Sequence, residues 1–506
     1  MASDSGYGTR TGRAYDVEDS APLPTLHALP DVSRVEQGVE TEFEAVYFDT
    51  EDLALAARCI TLERRTGTQA GWQLEQPNDD GGRRVSSSPP VRGTDGVPKT
   101  LLQLVRVHVR DKPLVPVARV LTRRVLHRLY GSGDKVLADM LDDHLRSEQL
   151  PSKTGGSVWR EWAIELVEGN QDLLDACDAL CAGSGAQRGS RGSTLRSELA
   201  GRSRQPEPAV PCPKRKGDAA AVLLFFLHQQ VRSLKEQDPL VRSGEPEAVH
   251  KMRVASRRLR SCLATYRKLL AGDTAGELRG ELKWLAGLLG EARDAQVMQD
   301  RLRDLLAGEP SELVMGPVAR RIDEQLTADL QAARTKTLRA LDTKRYFRLL
   351  DALDGLLANP PLTALASEPA REVIGRRIKR EAKRLGRAVT AAEQLAGDAT
   401  EARALHEVRI RAKRLRYAAE AAIPVGGKRA QRLAEAAHRV QQSLGVHQDT
   451  VLTRDLLRRL GAGAVLQNEN GFTYGRLHAL EQIAAENAQA AFRREWKRFP
   501  STSINP

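Results

Sequence analysis

The stretch His250-Lys251-Met252-Arg253-Val254-Ala255-Ser256-Arg257-Arg258-Leu259-Arg260 returns, altered, as His406-Glu407-Val408-Arg409-Ile410-Arg411-Ala412-Lys413-Arg414-Leu415-Arg416. His250 pairs with His406, Arg253 with Arg409, Arg257 with Lys413, Arg258 with Arg414 and Arg260 with Arg416, all at one offset of 156 residues (406 less 250). Self-similarity at a fixed offset points to one structural plan used twice.

Each copy spaces its apolar residues as a helix does: Val249, Met252, Leu259, Leu263 in the first and Leu405, Val408, Ala412, Leu415 in the second. At about 100° per residue these fill one side. His250, Arg253, Arg257 and Arg260 fall in a neighbouring sector, as do His406, Arg409, Lys413 and Arg416. A solvated helix mixes charges of both signs at i,i+4. These stripes hold only cations and one imidazole each, and a single such stripe would be no more than a solvated basic face. Two in the same histidine-led register favour a shared anion site.

Further repeats accompany them. Leu289-Gly290-Glu291-Ala292-Arg293-Asp294 has a fainter echo in Leu444-Gly445-Val446-His447-Gln448-Asp449, and Leu341-Asp342-Thr343-Lys344-Arg345-Tyr346-Phe347-Arg348-Leu349-Leu350 stands between the halves. Together these segments resemble the CHAD domain, an all-helical module of two pseudo-symmetric bundles that binds inorganic polyphosphate. The resemblance covers residues 217–500.

Charge agrees with a polyanionic partner for this half. Residues 1–216 hold 29 Lys and Arg against 31 Asp and Glu, net −2, whereas residues 217–506 hold 49 against 35, net +14. Such an asymmetry favours a polyanion. Aromatic residues make up only 4% of the chain, and proteins that grip single-stranded nucleic acid stack bases on aromatic rings. A partner made of phosphates alone fits better, with nucleic acid the less favoured.

The chain before this half has a different grain. Short runs of strand character, among them residues 44–50, 59–65, 71–75, 116–125 and 159–166, are separated by turn residues and predict an antiparallel sheet or barrel. Tyr47-Phe48-Asp49-Thr50, Thr61-Leu62-Glu63-Arg64-Arg65-Thr66-Gly67, Gly71-Trp72 and Thr122-Arg123-Arg124 resemble the CYTH domain, or triphosphate tunnel metalloenzyme fold. That resemblance implies a barrel with triphosphate in a central tunnel and a divalent metal held by acids at alternate strand positions.

The family's E-x-E-x-K signature is missing where the register puts it, at Arg10, Gly12 and Ala14; a shifted alternation, Glu40, Glu42 and Glu44, precedes the Tyr47 strand. Glu161 and Glu165 remain as candidate metal ligands, with Ala163 between them. Arg64, Arg65, Arg119, Arg123 and Arg124 are candidate barrel phosphate ligands, since arginine offers forked donors to phosphate oxygens. The expectation is a degenerate barrel with no assigned catalytic residue, needing magnesium or manganese only if it is active.

The expected organisation is α+β and multidomain: a CYTH-like β-barrel at 10–185, a Gly, Ser, Arg and Pro-rich linker at 186–216, and the helical domain at 217–500. Within the latter, residues 313–356 read as one long helical stretch and residues 371–389 as a second basic helix. Five cysteines in no metal-binding spacing read as structural thiols. With no apolar leader and no membrane-length apolar run, the expected location is cytoplasmic, with association to polyphosphate granules.

The candidate phosphate ligands are His250, Lys251, Arg253, Arg257, Arg260, Arg293, Arg376, Arg380, Lys383, Arg384, Arg387, His406, Arg409, Lys413 and Arg416. Asp294 and Asp449 read as groups that orient neighbouring cations. The leading function is polyphosphate binding without catalysis. Its alternatives are a metal-dependent triphosphatase or polyphosphatase in the barrel, and a nucleic-acid backbone binder. Oligomeric state is not legible.

Overall fold

A computed structural model describes residues 11–67, 70–77, 83–90, 96–151, 156–189, 195, 199, 201, 210–396 and 400–500. Arg10 and much of the expected linker lie outside these. The chain divides into two compact units, residues 1–207 and 208–506.

The first unit is a curled antiparallel sheet, a half-barrel. In chain order its strands are β1 (Gly12–Val17), β2 (Arg34–Gln37), β3 (Thr41–Asp49), β4 (Thr61–Arg65), β5 (Gly71–Pro77), β6 (Arg83–Ser88), β7 (Val115–Tyr130), β8 (Val136–Gln149), β9 (Val158–Leu166) and β10 (Gln187–Gly189). Their order across the sheet is β10-β1-β9-β8-β7-β3-β4-β5-β6, with β2 on β7. Among the described residues β6 and β10 stay unpaired edges, so the expected barrel is an open curl.

Alternation sorts the side chains onto two faces. Val46, Phe48, Leu62, Trp72 and Leu74 pack on helix α1 (Lys99–Val109) through Leu101, Val105 and Val109. On the same face, Tyr15, Met140, Trp162 and Ile164 pack on α2 (Gln171–Gly183) through Leu173, Leu174 and Cys177. Both helices therefore cover one side and leave the other as the inner face.

The expected linker begins as structure. β10 pairs with β1, and Leu195 and Leu199, 2% and 4% exposed, sit in a cluster with Tyr47, Val120, Leu145 and Trp159 of the inner face. The first unit therefore runs past residue 185, because an apolar pair spaced one helical turn apart covers one end of its concave side.

The second unit is helical: α3 (Ala219–Ser243), α4 (Ala248–Thr265), α5 (Thr274–Ala307), α6 (Val318–Leu341), α7 (Lys344–Ala358), α8 (Ala370–Gln394), α9 (Glu401–Ala421), α10 (Ile423–Leu466) and α11 (Phe472–Lys497). α8–α11 rebuild the plan of α3–α6, and α7 has no counterpart. Leu302 of α5 and Ile322 and Leu326 of α6 share a core with Leu456 and Leu457 of α10 and Tyr474 and Leu477 of α11.

The stretch 313–356, expected as continuous, breaks at Asp342-Thr343, where the Thr343 hydroxyl accepts from the Tyr346 amide (3.4 Å) and caps α7. This break serves a buried network. Arg242 of α3 donates to Asp238 (2.6 Å), Asp342 (2.6 Å) and the Leu341 carbonyl (2.8 Å), and the Tyr346 hydroxyl donates to Asp238 (2.8 Å). Asp238 is fully buried. A buried carboxylate is tolerable only with such partners, so the 341–350 motif ties α7 to α3.

Candidate functional site

α4 and α9, the two copies of the repeated stretch, lie side by side. Met252, Ala255, Leu259 and Leu263 of α4 and Val408, Ala412, Leu415 and Ala419 of α9 are buried as their helical spacing requires. The Tyr266 hydroxyl at the end of α4 donates to the Ala418 carbonyl of α9 (2.9 Å). The two basic stripes then become one cluster from residues 156 apart in sequence (406 less 250).

Each stripe rests on the helix that follows it. Arg253 lies across Gly290 of α5: a methyl built there would sit 3.5 Å from its Nη2. Arg409 lies across Gly445 of α10 at 3.8 Å in the same sense. The Leu-Gly pairs of the two fainter motifs thus give each arginine room to lie flat. The Nε of Arg253 and that of Arg409 are both buried without a hydrogen-bond partner among the described residues. A buried donor left unmade costs about 1–3 kcal/mol, so both ends of the cluster carry the same deficit. Arg253 also donates from Nη1 to Asp294 (3.0 Å).

Charge accumulates between them. Burial, reinforced by Arg257, Arg409 and Arg253, pushes the Lys413 ammonium down to about 6, with Asp449 opposing the shift. Arg257 and Arg409 are each lowered by burial and then by neighbouring guanidiniums. Burial followed by Arg293 lowers His250, and burial raises the Asp449 carboxyl. Among the described residues Arg257, Arg409 and Lys413 make no ion pair and no hydrogen bond. An anion beside these half-buried cations would raise Lys413, Arg257, Arg409 and His250 back toward their ordinary values.

The other expected ligands divide. Arg260 is half-buried and lowered by burial and by Arg257, Arg414 and Arg279. Arg416, its repeat partner, is engaged instead: its Nε donates to Glu420 (2.7 Å), and its Nη1 meets His438 (2.9 Å) and Gln441 (3.3 Å). Arg293 donates to Gln296 (3.1 Å) and faces Glu247 (3.6 Å), and His406 Nδ1 meets Gln448 Oε1 at 2.8 Å. Lys251 is exposed.

On α8, Arg376, Arg380, Lys383, Arg384 and Arg387 are all exposed. Arg376 pairs with Glu368 (3.1 Å) and Arg384 with Glu381 (2.5 Å). Two groups absent from the expected set join the cluster's edge, Arg279 and Arg414. Arg414 carried a signal as the repeat partner of Arg258; Arg279 had none, since Ala434 stands at its echo.

The half-barrel's expected ligands part by strand parity. Arg64, Arg119 and Arg123 stand on the face that carries α1, Arg64 near the Phe48 ring, Arg119 near Glu44 (3.6 Å) and Arg123 near Glu40 (3.8 Å). The alternating Glu42 and Glu44 share that face. Arg65 and Arg124 are on the inner face, where Arg65 pairs with Glu63 (2.5 Å) and Arg124 holds Asp143 through two 2.6 Å bonds. Arg128 and Asp139 form a further inner pair (2.9 Å).

Glu161 and Glu165 also face inward. Cross-strand register sets Glu161 beside Asp143 and Asp16, Glu165 beside Asp139 and Gly12, and Ala163 beside Ala14 and Leu141. The position between the two glutamates is therefore an apolar patch of Ala14, Leu141, Ala163 and Leu126. Gly12 adds a second obstacle, because any Cβ there would sit 2.5 Å from the Ile164 carbonyl oxygen. A divalent metal needs several convergent oxygen ligands. Here alanines occupy the centre and the flanking acids Asp139 and Asp143 are held by arginines, so the residues do not fit the divalent metal that the CYTH resemblance implies.

Residues 226–458 match the CHAD domain family. Two Mycobacterium tuberculosis proteins, MT2285 of strain CDC 1551 and Rv2226 of strain H37Rv, are each 36% identical over 491 residues, covering 94% of this chain and 93% of theirs. Among solved structures, PptA from Streptomyces chartreusis is similar at 24% identity and a TM-score of 0.48, over 56% of this chain and 100% of its own. The CHAD domain from the plant Ricinus communis follows at 23% identity and a TM-score of 0.42, over 58% and 96%. A putative adenylate cyclase from Bacillus halodurans gives 16% and 0.24, over 36% and 91%. Matched over nearly its whole length, the chain belongs to one family with the two mycobacterial proteins, and its helical unit carries the CHAD domain.

Proposed function

We propose that this protein binds inorganic polyphosphate along the basic cluster shared by α4 and α9, and that the half-barrel does no phosphate chemistry. The observation that carries the reading is the set Arg257, Arg409 and Lys413: half-buried, drawn from both repeat copies, mutually repelling, and without an ion pair among the described residues. A chain of phosphates carries about one charge per unit and offers oxygens along its length, so it can neutralise such a row without any base to read. The buried Nε groups of Arg253 and Arg409 add two donors of fixed direction at symmetric places.

The residues of the half-barrel's inner face support its lack of phosphate chemistry. Its inner cations already hold carboxylates, and alanine stands where the acids of a metal site would converge. The same polyphosphate binding would draw the protein to polyphosphate granules of the cytoplasm.

Titrating the full chain with long-chain polyphosphate at two salt concentrations tests the proposal. Binding should weaken as salt rises, because counterions released from the polymer drive it. Long polyphosphate should also displace a bound RNA duplex at equal phosphate concentration. No binding, or a duplex that polyphosphate fails to displace, would overturn the reading in favour of another anion.

A further inference from the structure

We propose that Arg260 of α4, Arg279 of α5 and Arg414 of α9 form a second phosphoryl subsite, which extends the basic cluster past Arg257 and makes the protein select long linear phosphate chains over short ones. This rests on the polyphosphate reading above and deepens it.

The two repeat copies differ around their last arginines. In the second copy, Glu420 holds Arg416 (2.7 Å) and also Arg258 (3.0 Å), while His438 and Gln441 occupy the rest of the Arg416 fork. At the corresponding places around Arg260 stand Ala264, where the repeat would put Glu420, and Ala286, where it would put Gln441. The basic cluster meets a carboxylate on one side and alanines at the matching positions on the other.

What stands on the open side is cationic. Burial, then Arg257, Arg414 and Arg279, weaken the hold of Arg260 on its proton, and burial, then Arg411 and Arg279, weaken that of Arg414. The Arg279 Nε is buried without a hydrogen-bond partner. Among the described residues none of the three makes an ion pair. Of the carboxylates that act on Arg414, Glu407 is paired with Arg411 (2.6 Å), and Glu381 gives one oxygen to Arg384 (2.5 Å) while its other oxygen is buried without a hydrogen-bond partner among the described residues.

Position then gives the length. Arg260 follows Arg257 by about one helical turn. Arg279 precedes Gly290, under Arg253, by 11 positions on α5, roughly 16 Å of helix. An anion that fills both places must span several phosphoryl groups, so a short oligophosphate can occupy the central cluster and leave the new subsite empty.

The test is calorimetric titration of the full-length protein with tripolyphosphate and with long-chain polyphosphate at one salt concentration, for the unaltered protein, Arg279→Ala and Arg414→Gln. Loss of one charge-assisted contact should lower long-chain affinity about tenfold in either variant, while tripolyphosphate affinity stays within about twofold. Arg279→Lys, which keeps the charge, should recover most of the loss and so separates a lost contact from a damaged fold. Arg253→Glu with Arg409→Glu should lose both anions. An unchanged ratio of the two affinities in Arg279→Ala and Arg414→Gln, whether both fall or neither does, overturns the subsite. If the unaltered protein binds neither anion, the polyphosphate reading itself fails.

Discussion

Lys413 is the side chain whose charge the basic cluster controls most directly. Held down to about 6 by burial and by Arg257, Arg409 and Arg253, with Asp449 opposing, it is largely neutral at pH 8 without a bound anion. A bound anion favours the ammonium, so binding takes up a proton. The sign follows: affinity is highest near pH 6 and falls as pH rises toward 8, by at most about tenfold per unit for one proton. His250, lowered by burial and by Arg293, adds to the same trend at the lower end. Calorimetry in two buffers of different ionisation enthalpy should show proton uptake at pH 8, and Lys413→Arg should abolish most of it and flatten the profile. A pH-independent affinity in the unaltered protein would show that Lys413 does not meet the anion.

At the scale of elements, the basic cluster depends on two helices being smooth where two arginines cross them. Gly290 of α5 and Gly445 of α10 are each in ordinary van der Waals reach of the arginine above. Alanine at 290 therefore fits, and removing a mid-helix glycine should stabilise the protein by about 0.5–1 kcal/mol with affinity little changed. Leucine at 290 would lift Arg253 off the helix and should cut polyphosphate affinity about tenfold, the worth of one charged contact. Gly280, on the same helix with open space around it, is the control, and Gly280→Leu should leave affinity alone. Denaturant midpoints and anion titrations read both effects. Equal losses from the two leucine variants would remove the packing argument.

At the scale of the molecule, two units with opposite charge management share one chain. The half-barrel neutralises its own cations, as in Arg124 with Asp143, whereas the helical unit leaves its central cations unpaired. Full-length protein should release no phosphate from tripolyphosphate with magnesium or manganese between pH 6 and 9, by the range a catalytic base would cover. Metal-dependent release that Glu161→Gln abolishes would instead assign the half-barrel a catalytic site.

The repeated stretch alone determined that two helices carry matching basic stripes, since a 3.6-residue period sorts His250, Arg253 and Arg257 from Met252 and Leu259 whatever surrounds them. The strand character of the first half and the missing acids at Gly12 and Ala14 were equally plain in one dimension. Only the tertiary structure decided which cations are free to act. Arg416 and Arg260 are equivalent in the repeat, and a carboxylate on the same helix engages one while an alanine leaves the other open. Arg279, with no echo, joins the cluster because α5 packs antiparallel beside α4. Leu195 and Leu199, inside a segment whose composition predicts a linker, are buried against the inner face of the sheet. Composition and period report what a residue can do. Whether its charge is already satisfied depends on partners far away in sequence, and the fold alone brings those together.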